Sequence, residues 1–189
     1  DLPQITEAVP DTPVYFEMCH ATMIGKKVAK GYDAFTFKRT TEQQYYTAAH
    51  LAYSRGAEGV SAFNFVYYRE HGRGERGPFN EPPFEIFKNL DDPDWLALQP
   101  QHYVLTKAYK TPNMPQQLKP GHSIEMKLDM APPRGGWTQT SKLRIQCPQS
   151  IGDARIEAKV NSHTLASTED ISEPYETPYE PLKANPQIA

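Results

Sequence analysis

Apolar and polar residues follow two rhythms along this chain, and the change from one to the other divides it. The first half reads strand, loop, helix, strand, loop, helix. "PVYFEM" is a short β-rich run behind the turn formers Asp11 and Pro13. Residues 20 to 39 form a long connection with Gly25, Gly31 and little periodicity. "TTEQQYYTAAHLAYSRG" has the helical period, with Tyr45, Ala48, Ala49 and Ala52 as an inner stripe whose alanines allow close approach to a sheet. Thr40 or Thr41 can cap it, with Gln43 or Gln44 three residues on, and Gly56 supplies the left-handed stop after Arg55. "GVSAFNF" follows almost at once, which makes a strand–helix–strand unit and predicts parallel strands. "PPFEIFKNL" carries Phe84, Phe87 and Leu90 at helical spacing, and "DPDWLALQPQHYVLTKAY" adds another helical turn.

The second half changes period. Residues 107–120 are a proline-punctuated linker. In "HSIEMKLDM", Ile124, Met126, Leu128 and Met130 alternate with polar residues, the pattern of a half-buried antiparallel strand. "KLRIQC" and "ARIEAKVN" repeat it, with "NSH" as a hairpin turn before "TL". The tail "SEPYETPYEPLKANPQIA" is too proline-rich for regular structure. The expected organisation is therefore an α/β unit over 1–106 and a small, incomplete antiparallel β-sandwich over 121–189.

Composition narrows the function classes. A formal net charge of -3 on 189 residues leaves no electrostatic footprint for nucleic acid or an anionic membrane. No apolar run approaches the length of a bilayer span. Eighteen prolines and 11 tyrosines fit short elements joined by stiff loops that carry amphipathic rings, and so many aromatics argue against disorder. Cys19 and Cys147 lie far apart; a disulfide between them stays open, and two thiols make no metal motif. The chain opens at Asp1 without a methionine, the mark of a processed, trimmed or partial sequence.

The chemistry concentrates where the strands end. In parallel α/β folds ligands meet the carboxyl ends of the strands. "GVSAFNF" runs into "VYYREHG", and "VYFEM" into "CH", so two consecutive strands would present carboxylate, imidazole, amide, phenol and guanidinium groups on one rim. "TEQQYYTAAHLAYSRGAEGVSAFNFVYYREHG", followed by "EPPFEIFKNLDDPDWLALQPQHYVL", resembles the last units of a glycoside hydrolase-like (β/α)8-barrel family of largely uncharacterised bacterial proteins. "LRIQC", "KVNSHTL" and "SEPYETPY" resemble the β-sandwich appended to such barrels. The resemblance implies the C-terminal portion of a TIM barrel, with "VYFEM" as the seventh strand and "GVSAFNF" as the eighth. A closed barrel takes about 250 residues, so the rest of the barrel would come from a longer parent chain or an associated one.

On that resemblance the expected activity is hydrolysis of glycosidic bonds in a polysaccharide or oligosaccharide by rim carboxylates, in a secreted or periplasmic protein. Glu17 would be the catalytic carboxylate, since many barrel glycosidases carry a nucleophile at the end of strand seven and retaining enzymes pair two carboxyl groups about 5 to 5.5 Å apart. Asn64, Tyr67, Arg69, His20 and Tyr15 would contact the sugar; phenol rings offer flat faces for pyranose CH edges. Two other readings stand beside it. One is a non-catalytic carbohydrate-binding or structural protein on the same fold. The other is a purely structural Glu17, buried and paired with Arg39 or Arg69. No cofactor is expected. "GRGERGPF" lacks the strand–GxGxxG–helix order and the Gly-Lys-Ser/Thr ending of a phosphate loop, and His20 and His71 have no metal-ligand spacing.

Overall fold

Thr41 and Gln44 decide where the central helix begins. The Thr41 side chain accepts a hydrogen bond from the Gln44 amide at 3.3 Å, and the Gln44 side-chain oxygen accepts one from the Thr41 amide at 2.8 Å. This reciprocal capping box satisfies two donors that a helix start leaves over, and Glu42 adds a negative charge at the positive end of the dipole. The helix, α2, runs Glu42–Ser54. It stops in a Schellman arrangement, with the Gly56 amide donating to Tyr53 O at 3.1 Å and the Ala57 amide to Ala52 O at 3.0 Å. That geometry needs the left-handed backbone at Gly56, φ +92°.

The computed structural model describes residues 2–19, 21–23, 37–63, 65, 84–105, 116–137, 140–145, 147 and 151–166. In chain order these contain α1 (Leu2–Ala8), β1 (Tyr15–Cys19), β2 (Ala21–Met23), β3 (Phe37–Arg39), α2, β4 (Gly59–Phe63), a 3-10 helix (Phe84–Asn89), α3 (Pro93–Leu96), β5 (Lys159–Val160) and β6 (His163–Thr164). Strands β1 and β4 pair in parallel from Tyr15 opposite Gly59 to Cys19 opposite Phe63. The parallel pairing expected across the strand–helix–strand unit is thus present. Antiparallel pairs β2–β3 and β5–β6 are separate two-stranded ribbons.

One core holds the first half together. Met18 from β1, Tyr45, Tyr46 and Ala49 from α2, Phe65, and Ile86, Leu90 and Leu96 from the segments beyond form a buried cluster, with Val60 and Ala62 of β4 packed against it. Tyr45, Ile86 and Leu96 are fully buried, each worth roughly 1.5–3 kcal/mol for removal from water. Phe65 sits at the junction, with edge-to-face ring contacts to Tyr45 at 5.8 Å, Phe84 at 5.6 Å and Phe87 at 4.6 Å between centroids. The expected helical stripe of Phe84, Phe87 and Leu90 takes another form. The segment is a 3-10 helix in which Phe84 and Phe87, three apart, eclipse and stay partly exposed, while Ile86 within it and Leu90 just beyond its end are buried.

Two expectations fail at this level. The described sheets have two strands each and none curls or closes, so the chain is not a remnant of a (β/α)8 TIM barrel and the resemblance to that glycoside hydrolase-like family is not supported. The β-sandwich fails as well. "HSIEMKLDM" and "KLRIQC" form no ladder among the described residues, and "ARIEAKVN" contributes only Lys159 and Val160 to a hairpin with His163 and Thr164. The turn inside it is as expected, with positive φ at Asn161 (48°) and Ser162 (72°), the two central residues of a primed hairpin turn. Alternation states which side of a segment could be buried; it does not supply the neighbouring strand that would bury it.

Two measurements probe this architecture. Thr41→Ala removes half of the capping box and is expected to lower stability by about 1 kcal/mol in urea unfolding. The Tyr46 hydroxyl donates to Glu42 at 2.7 Å, and its pKa is pushed up to about 12 by burial, then by that hydrogen bond and by the Glu42 charge. The raised value means the folded chain holds this proton more tightly than the unfolded chain does. Its contribution is therefore intact below pH 10 and lost as pH rises toward 12. Stability measured across that window is expected to fall, and Tyr46→Phe, which cannot ionise, to fall less steeply than the parent.

Candidate functional site

Side chains alternate across a strand, and on the β1–β4 pair this splits the residues into a covered and an open side. Met18, Val60 and Ala62 face α2. Tyr15, Glu17 and Cys19 alternate with that covered set and stand opposite Gly59, Ser61 and Phe63 on the other side. Tyr15 is 66% exposed and Phe63 48% exposed. The Tyr15 ring lies directly over Gly59, so a Cβ added at that position would collide with it. Gly59 is thereby buried beneath a ring that itself faces water.

Of the residues expected to form the site, Tyr15 and Glu17 are two places apart on this open side. Glu17 is exposed, so the reading of it as a buried glutamate does not hold, while the Arg39 side chain and Arg69, its expected partners, lie outside what the structure describes. His20, Asn64, Tyr67 and Arg69 lie outside the described residues. The other members of the open side are Cys19, Gly59, Ser61 and Phe63, none of them a carboxylate. Nor do three or more His, Cys, Asp or Glu side chains gather at any point among the described residues. With no barrel rim and no facing carboxylate, glycosidic hydrolysis loses its structural basis, and so does assignment of the chain as a glycoside hydrolase. The non-catalytic carbohydrate-binding alternative rested on the same barrel and goes with it. Cys19 and Cys147 are both exposed and are not joined by a disulfide.

A second polar cluster, on the far flank of α2, was missed in the sequence. His50 Nε2 donates to Pro132 O at 3.0 Å. Arg55 pairs with Asp129. The Tyr103 hydroxyl accepts from the Ala131 amide at 2.9 Å, and its proton has Gln101 Oε1 at 2.7 Å and Ala131 O at 3.3 Å as acceptors. Burial pushes the Tyr103 phenol above its usual range; the Ala131 hydrogen bond pulls it down, the Asp129 carboxylate raises it and Arg55 lowers it. Arg134 adds a backbone bond to Ala97 O at 2.9 Å and an ion pair with Asp94 at 3.3 Å. These groups clamp residues 129–134 across α2 and α3, and their roles are structural. The signal lay in helical spacing, since His50 falls four residues after Tyr46 on the flank of the inner stripe.

No family model, no curated protein and no solved structure matches this chain. Glu17→Gln is expected to shift stability by no more than about 0.5 kcal/mol, as for an exposed surface side chain, read from the urea midpoint. A loss of several times that size would mean that Glu17 holds the strand pair together.

Proposed function

We propose that this chain is an assembly module: a strand–helix–strand layer whose two-stranded parallel sheet is completed by further β-structure from another polypeptide segment. One observation carries the reading. A single crossover helix covers one side of the β1–β4 pair, while the other side carries Tyr15, Glu17 and Phe63 in water.

Parallel sheets are found with both faces covered, because their crossovers lay helices on the sheet and their slanted hydrogen bonds fare poorly in solvent. A two-stranded sheet also has two outer edges, and no third strand lies on either among the described residues. Of the two partners expected, a sugar and a missing stretch of sheet, this geometry favours the sheet. Strand addition supplies main-chain partners along an edge, and alternate side chains such as Tyr15 and Phe63 supply specificity. The aromatic rings are suited to the centre of such an interface, where large rigid side chains dominate binding.

The test is substitution of the open side. Phe63→Lys and Tyr15→Lys are expected to leave the urea midpoint within about 0.5 kcal/mol of the parent, and to reduce binding of an apolar fluorescent dye. Rings that wait for a partner add little to the stability of the isolated chain. A loss of about 2 kcal/mol or more for Phe63→Lys, the size expected of a buried aromatic, would show that the chain covers this face itself and would end the proposal.

A further inference from the structure

Residues 123–130 make a second unfinished surface, separate from the sheet. Ile124, Met126, Leu128 and Met130 alternate with Ser123, Glu125, Lys127 and Asp129. Met126 is 52% exposed, Leu128 46% and Met130 39%. No backbone–backbone hydrogen bond involves any of these eight residues among those described. Both ends are nevertheless fixed. The His122 amide donates to Lys119 O at 3.0 Å beside the left-handed Gly121, φ +74°. At the other end Asp129 is paired with Arg55, and Ala131 is buried and bonded to Tyr103. An open hollow of about 540 Å³, lined by Glu125, Met126, Lys127, Leu128, Asp129 and Asn161, leaves room beside the segment.

A tethered, alternating segment whose main-chain groups have no backbone partner among the described residues is a template for strand pairing. Its charges say with what. We propose that residues 122–130 pair antiparallel with the same residues of a second copy of this chain, about a two-fold axis at Met126. In that register Glu125 stands opposite Lys127 of the second copy and Lys127 opposite its Glu125, so two attractive cross-strand pairs form on the polar face. On the apolar face Met126 meets Met126, and Ile124 meets Leu128 twice. The contact is isologous, as a closed dimer requires.

Neighbouring registers are worse for stated reasons. A shift that offsets the faces by one residue sets the polar row against the apolar one. A two-fold at Lys127 opposes Lys127 to itself and Glu125 to Asp129, all like charges. A two-fold at Leu128 restores opposite charges but requires Ala131, which is buried and held by Tyr103, to pair with Glu125.

Sedimentation of the full chain with charge variants tests this. Glu125→Lys and Lys127→Glu, each on an exposed side chain, are expected to weaken self-association by about tenfold or more, since like charges then face one another twice across the axis. The double exchange E125K/K127E restores the opposite-charge pairs and is expected to return the affinity to near that of the parent. Met126→Cys, with Cys19 and Cys147 replaced by serine, is expected to cross-link to its own counterpart on mild oxidation, and Leu128→Cys is not. A chain that stays monomeric at several hundred micromolar, single variants that associate like the parent, or a double variant that is not rescued would each overturn the proposal. Phe63→Lys is expected to leave this dimer unchanged; its loss in that variant would move the interface to the open sheet and overturn the proposal as well.

Discussion

The packing of the inner stripe of α2 on the covered side of the β1–β4 pair is the contact on which the rest depends. Tyr45 and Ala49 are fully withdrawn from water there, and Met18, Val60 and Ala62 supply the surface they meet. Other described segments hang from the same helix. Tyr53 donates to Leu90 O at 2.9 Å, Tyr46 meets the Trp95 ring edge-on at 4.9 Å, and the Thr47 hydroxyl accepts from the His102 amide at 2.7 Å. His50 and Arg55 hold residues 129–132. A 13-residue helix is marginal alone. Here its capping box, its Schellman stop and these side-chain anchors make it the frame to which segments distant in sequence attach.

A frame with one helix covers one side of a sheet. The consequence is a molecule with an apolar core on one side of the β1–β4 pair and a row of rings and polar groups on the other. Tyr15 already roofs Gly59 at one end of the row, and Phe63 stands 48% exposed at the other. Exposed apolar side chains scattered singly need no explanation, but aligned rows do. Among the described residues two such rows occur, one on a formed parallel pair and one on the tethered segment 123–130. Both are incomplete in the same sense: main-chain groups and apolar side chains are arranged for a neighbour of extended backbone.

This pattern also accounts for the failure of the barrel reading. A strand running into polar and titratable residues has the same local signature whether it ends at an enzyme rim or at an open edge. Glu17 shows the difference. The resemblance implied a catalytic carboxylate there, yet on the folded chain it is exposed opposite Ser61, with no second carboxylate on its side of the sheet among the described residues. Catalysis by paired carboxylates requires a second group at a set distance, and that distance is a property of tertiary structure. The His50–Pro132 and Tyr103–Ala131 contacts were illegible for the same reason, because they join residues 82 and 28 positions apart.

Local rules were enough for the elements whose causes are local. Thr41, Gln44 and Gly56 mark the ends of α2 through bonds that reach three to five residues, and the spacing of Tyr45, Ala49 and Ala52 sets its buried side. The short link from Arg55 to Gly59 makes β1 and β4 parallel, and Asn161–Ser162 turn the final hairpin. Tertiary structure alone decided how many strands join each sheet, which alternating segments find a neighbour, and where Glu17 faces. Helix caps and turns are closed by hydrogen bonds within the segment itself. A ladder needs a second strand, and whether one arrives depends on the whole chain's competition for apolar contacts.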